Sequence, residues 1–259
     1  MAEVSEADAL IGPNSRNAWR AHNGSVTLAR PRRDPRPVSV AALPQTVVAD
    51  LAATALIVVD MQNDFCSPDG WLASIGVDVT PARVPIPVIA DLLPPLRAAG
   101  VPVVWLNWGN RPDRANLPPG VLHVYDPDGT GGGIGAPLPG GAGRVLERGS
   151  PSAAIVTGLE TADGDLHVPK YRMSGFQDTE LDSVLRNLRV DTLLFAGVNA
   201  DQCVLATLMD AANLGYDVLM LEDAVATTSP PYCMDATLYN VRQCFGFTLT
   251  AEALREALK

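Results

Sequence analysis

The chain has 259 residues, 47% of them apolar, and carries 19 basic against 29 acidic side chains, a formal charge of −10. That length allows one large α/β domain or two small ones, and that apolar fraction supplies a substantial core and excludes wholesale disorder. The acidic balance argues against nucleic acid or an anionic membrane surface as a partner.

In chain order, the opening "MAEVSEADAL" carries acidic groups where a secretory signal carries basic ones, and no apolar run approaches the length needed to cross a bilayer. A cytoplasmic setting is the expectation. Residues 1–45 read as an extended N-terminal arm, because "ARPRRDPRPVSVAALP" is rich in Pro and Arg without apolar periodicity. Residues 46–259 read as a single domain. There, "ALIVVD", "VPVVWLNW", "DTLLFAGV" and "YDVLMLED" are short, near-continuous runs of Val, Leu and Ile, the pattern of strands buried on both faces. "DLHVPK" and "FGFTLT" are weaker strand candidates. Between them "ARVPIPVIADLLPPLRAAG" predicts a helix closing on Gly100, and "QCVLATLMDAANLG" one closing on Gly215. In "DTELDSVLRNLRV", Asp178 is the expected cap, with Leu181, Val184, Leu185 and Leu188 on one face. Strands alternating with helices imply right-handed crossovers and a parallel sheet. Residues 107–150, heavy in Gly and Pro, read as a long loop. Their "GTGGGIG" is not a dinucleotide fingerprint, since no strand precedes it and no helix follows directly.

In an open parallel sheet, ligands bind beyond the carboxyl ends of the strands. Three reactive side chains fall there: Asp60 after "ALIVV", Lys170 after "LHVP", and Cys203 in the stretch after "LLFAGV". Each alone has an ordinary explanation: a turn carboxylate, a solvated amine, a thiol that fills a core gap. Together they assemble a nucleophile, a base and a charge. A thiol at a helix start feels the dipole and unpaired N–H groups, which favour the thiolate. The other cysteines, Cys66, Cys233 and Cys244, show no CxxC spacing and read as packing or loop residues.

"ALIVVDMQNDF", "PKYRMSGF" and "GVNADQCVLATLMDAANLGYDVLMLEDA", in this order, resemble the isochorismatase-like cysteine hydrolases over about residues 54–250. The resemblance implies a doubly wound α/β fold, a mostly parallel six-stranded sheet with helices on both faces in three layers. It implies a catalytic set of Asp60 as base, Cys203 as nucleophile and Lys170 as electrostatic support. It also implies a cis peptide at Val198–Asn199, aiming the amides of Asn199 and Cys203 at an oxyanion. Many relatives have Ala where this chain has Asn199, so that side chain adds a polar group whose role the resemblance leaves open.

Nicotinamidase-type relatives bind a metal through an Asp/His cluster after the first strand, but residues 61–122 here contain no His, so no metal and no cofactor are expected. Isochorismatases proper cleave a vinyl ether, and several lack the cysteine; Cys203 with Lys170 favours C–N hydrolysis. "PKYRMSGFQDTELDSVLRN" and "LYNVRQCFGF" are similar to ureidoacrylate hydrolases, and "RPDRANLP" with "GGGIG" to biuret hydrolases. Candidate substrate-reading residues are Asn63, Asn107, Arg111, Tyr171 and Gln243. Arg111 could equally pair with Asp113, and Gln243 could equally be a surface helix-end residue. Trp105 and Trp108 bracket a strand end, where one could wall the pocket. The expectation is a metal-independent cysteine amidohydrolase, a homodimer or homotetramer, acting on a small ureido or carbamoyl amide. The alternatives are hydrolysis of a lactam or larger amide of the streptothricin type, and a non-catalytic binding protein on the same fold. A redox-sensing Cys203 is weakened by the absence of an adjoining resolving cysteine.

Overall fold

Six apolar runs build the central sheet of the computed structural model, which describes residues 9–30 and 33–259. They are β1 (Thr54–Val59), β2 (Val103–Trp108), β3 (Leu166–Lys170), β4 (Thr192–Gly197), β5 (Asp217–Val225) and β6 (Phe247–Leu249). Every residue of β1 and β4 is buried, as near-continuous Val/Leu/Ile runs require. The strand order is β6-β5-β4-β1-β2-β3, and every pairing is parallel. The chain therefore builds outward from β1 to the β3 edge, then returns to the other side of β1 for β4. The crevice at that reversal, beyond the carboxyl ends of β1 and β4, is where such sheets bind ligands. Register keeps the ends level: Val59 pairs with Gly197 and with Leu106, and Trp108 with Lys170. Gly197 has φ +115°, and a Cβ there would sit 2.0 Å from Val59 O, so only glycine lets the two central strands end side by side.

Helices α1 (Pro85–Ala98), α2 (Pro119–Tyr125), α3 (Leu181–Leu188), α4 (Leu205–Asn213), α5 (Pro231–Asn240) and α6 (Ala251–Ala257) surround the sheet. Gly100 and Gly215 end α1 and α4 with φ of +69° and +91°, the left-handed stop their sequences announce. Asp178 does not cap α3. It has φ +59° and pairs with Arg172 at 3.0 Å, and the Leu181 N–H is instead taken by Thr179 Oγ1 at 3.1 Å. The segment 107–150 is not all loop: Asn107 and Trp108 finish β2, and α2 lies inside it.

The segment expected as an extended arm contains a three-stranded antiparallel sheet (Ala9–Ile11, Trp19–His22, Ser25–Thr27) and the first strand, Pro37–Val40, of a hairpin whose second strand, Val47–Asp50, lies just past residue 45. Leu43 exchanges backbone hydrogen bonds with Thr248 of β6 at 2.8 and 2.9 Å, fixing the hairpin to the sheet edge. The arginines of this segment serve as clasps. Arg16 donates to Ala52 O and Gly100 O, Arg33 to Ala52 O and Arg189 O, and Arg36 to Ala99 O. Several of these are the orphan carbonyls that every helix end leaves. Among the described residues no helix is long and apolar enough to cross a membrane.

Candidate active site

Asp60 directly follows β1, and its φ of +50° turns the chain away from the strand; Asp is among the few residues that tolerate this region. Its N–H still donates to Leu106 O at 2.9 Å, and its Oδ1 accepts from the Trp108 N–H at 3.1 Å. Beside it Gln62, fully buried, accepts from the Trp108 N–H at 2.8 Å and donates to Trp108 O at 2.8 Å. A buried amide must find such partners. Gln62 thereby fixes the end of β2 against β1, a role that its place in "DMQNDF" did not reveal.

β3 ends at Lys170, which is 0% exposed. Its Nζ lies 2.9 Å from Asp60 Oδ2 and donates to Cys203 Sγ and Arg172 O, each at 3.2 Å. The ammonium also lies 4.1 Å from the Trp108 ring centroid. Three donors thus face three acceptors, with a π face alongside, which is how a charge survives burial. After β4, the Val198–Asn199 peptide is cis, and a five-residue π-helical turn, Ala200–Val204, carries Cys203. The Asn199 side chain ties this turn to the segment after β5: Oδ1 accepts from the Thr228 N–H at 3.3 Å, and Nδ2 donates to Thr228 Oγ1 at 3.3 Å.

Electrostatics correct one expectation. Burial pushes the Cys203 thiol up to about 12; Lys170 opposes the rise and the Asp60 carboxylate adds to it. Burial likewise raises Asp60 above the ordinary carboxylate range, against the pull of Lys170. Cys203 sits within a π turn and only 5% exposed, so at rest it is a thiol and not the thiolate expected from a helix start. A buried anion beside a carboxylate costs more than the dipole returns. Asp60, made more basic by burial, faces that thiol. The arrangement is suited to moving the proton during attack rather than before it.

A cavity of about 220 Å³ opens onto Asp60 and Cys203. Phe65, Trp71, Leu72, Val124, Tyr125 and Met173 give it an apolar, largely aromatic wall, and Asn199, Gln202 and Thr228 a polar one. Asp60, Lys170, Cys203 and Asn199 are thus gathered at one place, and Trp108 lies against the lysine.

The five candidate substrate-reading residues are not on this cavity wall. Asn63 Nδ2 donates to Pro151 O at 3.0 Å, and Tyr171 donates its hydroxyl to Asp178 O. Arg111 forms the local fork with Asp113, at 2.6 and 2.9 Å. Gln243 is exposed in the π-helical turn Val241–Phe245. Asn107 lines a different depression, with Trp105, Arg148 and His167. For Asn107 the physical reason is alternation, since it precedes Trp108 on β2 and successive strand residues face opposite ways; Tyr171 lies past the end of β3, held by Asp178. The wall instead comes from the turns after β1, from α2 and from the segment after β5. The sequence signal for Gln202 was its place beside Cys203; nothing local marked Tyr125 or Thr228.

Residues 54–253 match the family described as the isochorismatase domain. The ureidoacrylate amidohydrolase RutB of Azorhizobium caulinodans is 34% identical over 229 residues, 83% of this chain and 95% of that protein. A crystal structure of a cysteine hydrolase from Pseudomonas syringae pv. phaseolicola superposes with a TM-score of 0.68 at 27% identity, covering 81% of this chain and 94% of that one. An isochorismatase family protein from Desulfovibrio vulgaris gives 0.66 at 33% identity, covering 80% and 98%.

Proposed function

The chain belongs to the isochorismatase family and is a hydrolase of carbon–nitrogen bonds, and from that premise we propose that it cleaves a small ureido or carbamoyl amide through a covalent intermediate on Cys203. The observation that carries this reading is the Lys170 ammonium lodged between the Asp60 carboxylate and the Cys203 thiol. In the proposed cycle Sγ bonds to the amide carbon as its proton passes to Asp60. The amides of Asn199 and Cys203 receive the oxyanion. The C–N bond then breaks as Asp60 returns the proton to the leaving nitrogen. A water, deprotonated by Asp60, attacks the acyl-sulfur bond and restores the thiol. Lys170 holds Asp60 and the sulfur in place and offsets the charge that passes between them.

A cavity of about 220 Å³ is smaller than typical ligand sites, which supports a small amide over one of streptothricin size. The test is ammonia or amine release across ureidoacrylate, biuret, N-carbamoyl amino acids and lactams, with Cys203→Ser and Cys203→Ala alongside. Both variants should keep the fold and lose several decades of turnover. A Cys203→Ala protein with a tenth of the wild-type rate would sink the covalent mechanism.

A further inference from the structure

Tyr125 is the last residue of α2, inside the segment that the sequence presents as a Gly/Pro-rich loop. Its ring lies between those of Trp71 and Trp108, with centroids 5.2 and 5.3 Å away. Trp71 in turn donates its Nε1–H to Gly132 O at 3.1 Å, so the same segment is fastened to the wall it helps to form. The ring packs as any aromatic would, but the hydroxyl is different. Tyr125 is half-buried, and a tyrosine packed in this way ordinarily finds a partner for its O–H. Tyr125 lines the cavity with Asp60 and Cys203, and its hydroxyl makes no hydrogen bond to any described residue.

This small cavity therefore holds two oxygen functions, the Asp60 carboxylate and the Tyr125 hydroxyl. Burial raises the phenol well above its ordinary value, with Cys203 and Asp60 adding to the rise, so it stays neutral. A neutral hydroxyl oxygen with free lone pairs suits an N–H donor. A carbamoyl group, –CO–NH2, presents such a donor next to the carbon that Sγ attacks; an acetyl group places a methyl there. The methyl would displace water and leave the oxygen bare, and a polar group left unpaired in the complex discriminates between otherwise isosteric ligands.

We infer that Tyr125 makes this site select a carbamoyl group, by accepting a hydrogen bond from its terminal amino group. The inference rests on the amidohydrolase reading above. It is tested with an N-alkyl urea and the matching N-alkyl acetamide, which share a leaving amine and differ only in NH2 against CH3. Amine release gives kcat/KM for both compounds with wild type and Tyr125→Phe. The ratio of urea to acetamide should fall by about 10- to 100-fold in the variant, the loss expected of one buried hydrogen bond. Tryptophan fluorescence from Trp71 and Trp108 should be unchanged, showing that the aromatic stack persists. A ratio that moves by less than about threefold, or an equal loss on both compounds, would overturn the assignment and leave Tyr125 a packing residue. If wild type releases ammonia or amine from no compound of the panel above, the amidohydrolase reading fails and the Tyr125 assignment with it; release from ureidoacrylate or biuret with an unchanged urea-to-acetamide ratio in Tyr125→Phe overturns the assignment alone.

Discussion

Lys170 reaches Cys203 from a strand at the far edge of one half of the sheet, and its Nζ stands 3.2 Å from the sulfur while pairing with Asp60 at 2.9 Å. It lowers the pKa of both groups against the effect of burial. Lys170→Met should therefore raise the pKa of the acidic limb of the kcat/KM profile, because Asp60 loses the charge that holds its proton off. It should also slow acylation by about two decades, the usual worth of a stabilising charge in a dry site. Lys170→Arg should rescue little, since a planar guanidinium cannot take the place of a compact ammonium. Rates within about threefold of wild type for both variants would dismantle the three-residue site.

Asp64 gives a prediction about stability. It is fully buried, its Oδ2 accepts from the Leu146 N–H at 2.8 Å, and Oδ1 has no partner. Burial raises its pKa from 3.8 to about 6. The folded protein binds this proton more tightly than the unfolded chain, so the contribution is complete below about pH 4 and is lost as pH rises through about 6. The gap corresponds to about 3 kcal/mol. Asp64→Asn carries no such proton. Its stability relative to wild type should rise by up to that amount between pH 4 and pH 7.5, read from urea unfolding. A difference that stays constant with pH would show that Asp64 is not protonated in the fold.

Chelation should leave the rate unchanged. The cavity wall offers one carboxylate and one thiol, and the described residues contain no cluster of three His, Cys, Asp or Glu able to hold a metal ion. Loss of activity with chelator, restored by zinc, would refute this.

A homo-oligomer is expected in solution. Trp19 and Val26 are exposed on the N-terminal three-stranded sheet and Leu28 just past it, and Tyr232 and Tyr239 are 70% and 64% exposed on α5. Clustered apolar surface of this kind is characteristic of interfaces. Light scattering at micromolar concentration should give a dimer or tetramer mass, and a monomer mass would contradict the expectation.

Much of the fold was legible because a strand buried on both faces needs an unbroken apolar run, and β1, β2, β4 and β5 have one. Asking what lies at strand ends then led to Asp60, Lys170 and Cys203 without any knowledge of distances. The remainder was hidden for physical reasons. In α5 Thr237 alone is buried, so the helix has no apolar stripe to read. The strands of the N-terminal segment are held by backbone pairing and arginine clasps, which leave no periodic trace. The cavity wall is assembled from segments far apart in sequence, and a residue such as Tyr125 acquires its place only through Trp71 and Trp108. Choosing Asn107, one residue from Trp108, selects the opposite face of the strand, and Tyr171 lies beyond its strand altogether.

The reversal of strand order has a consequence for how activity is acquired. Asp60 and Cys203 end adjacent central strands, which can pair before the sheet is complete. Lys170 is carried by the outermost strand, held by β2 alone. Contacts that close long loops form late and lapse early. In refolding, catalytic competence should therefore appear only when the edge strand docks. Under mild denaturant, the enzyme should fall silent while most of its core is still intact.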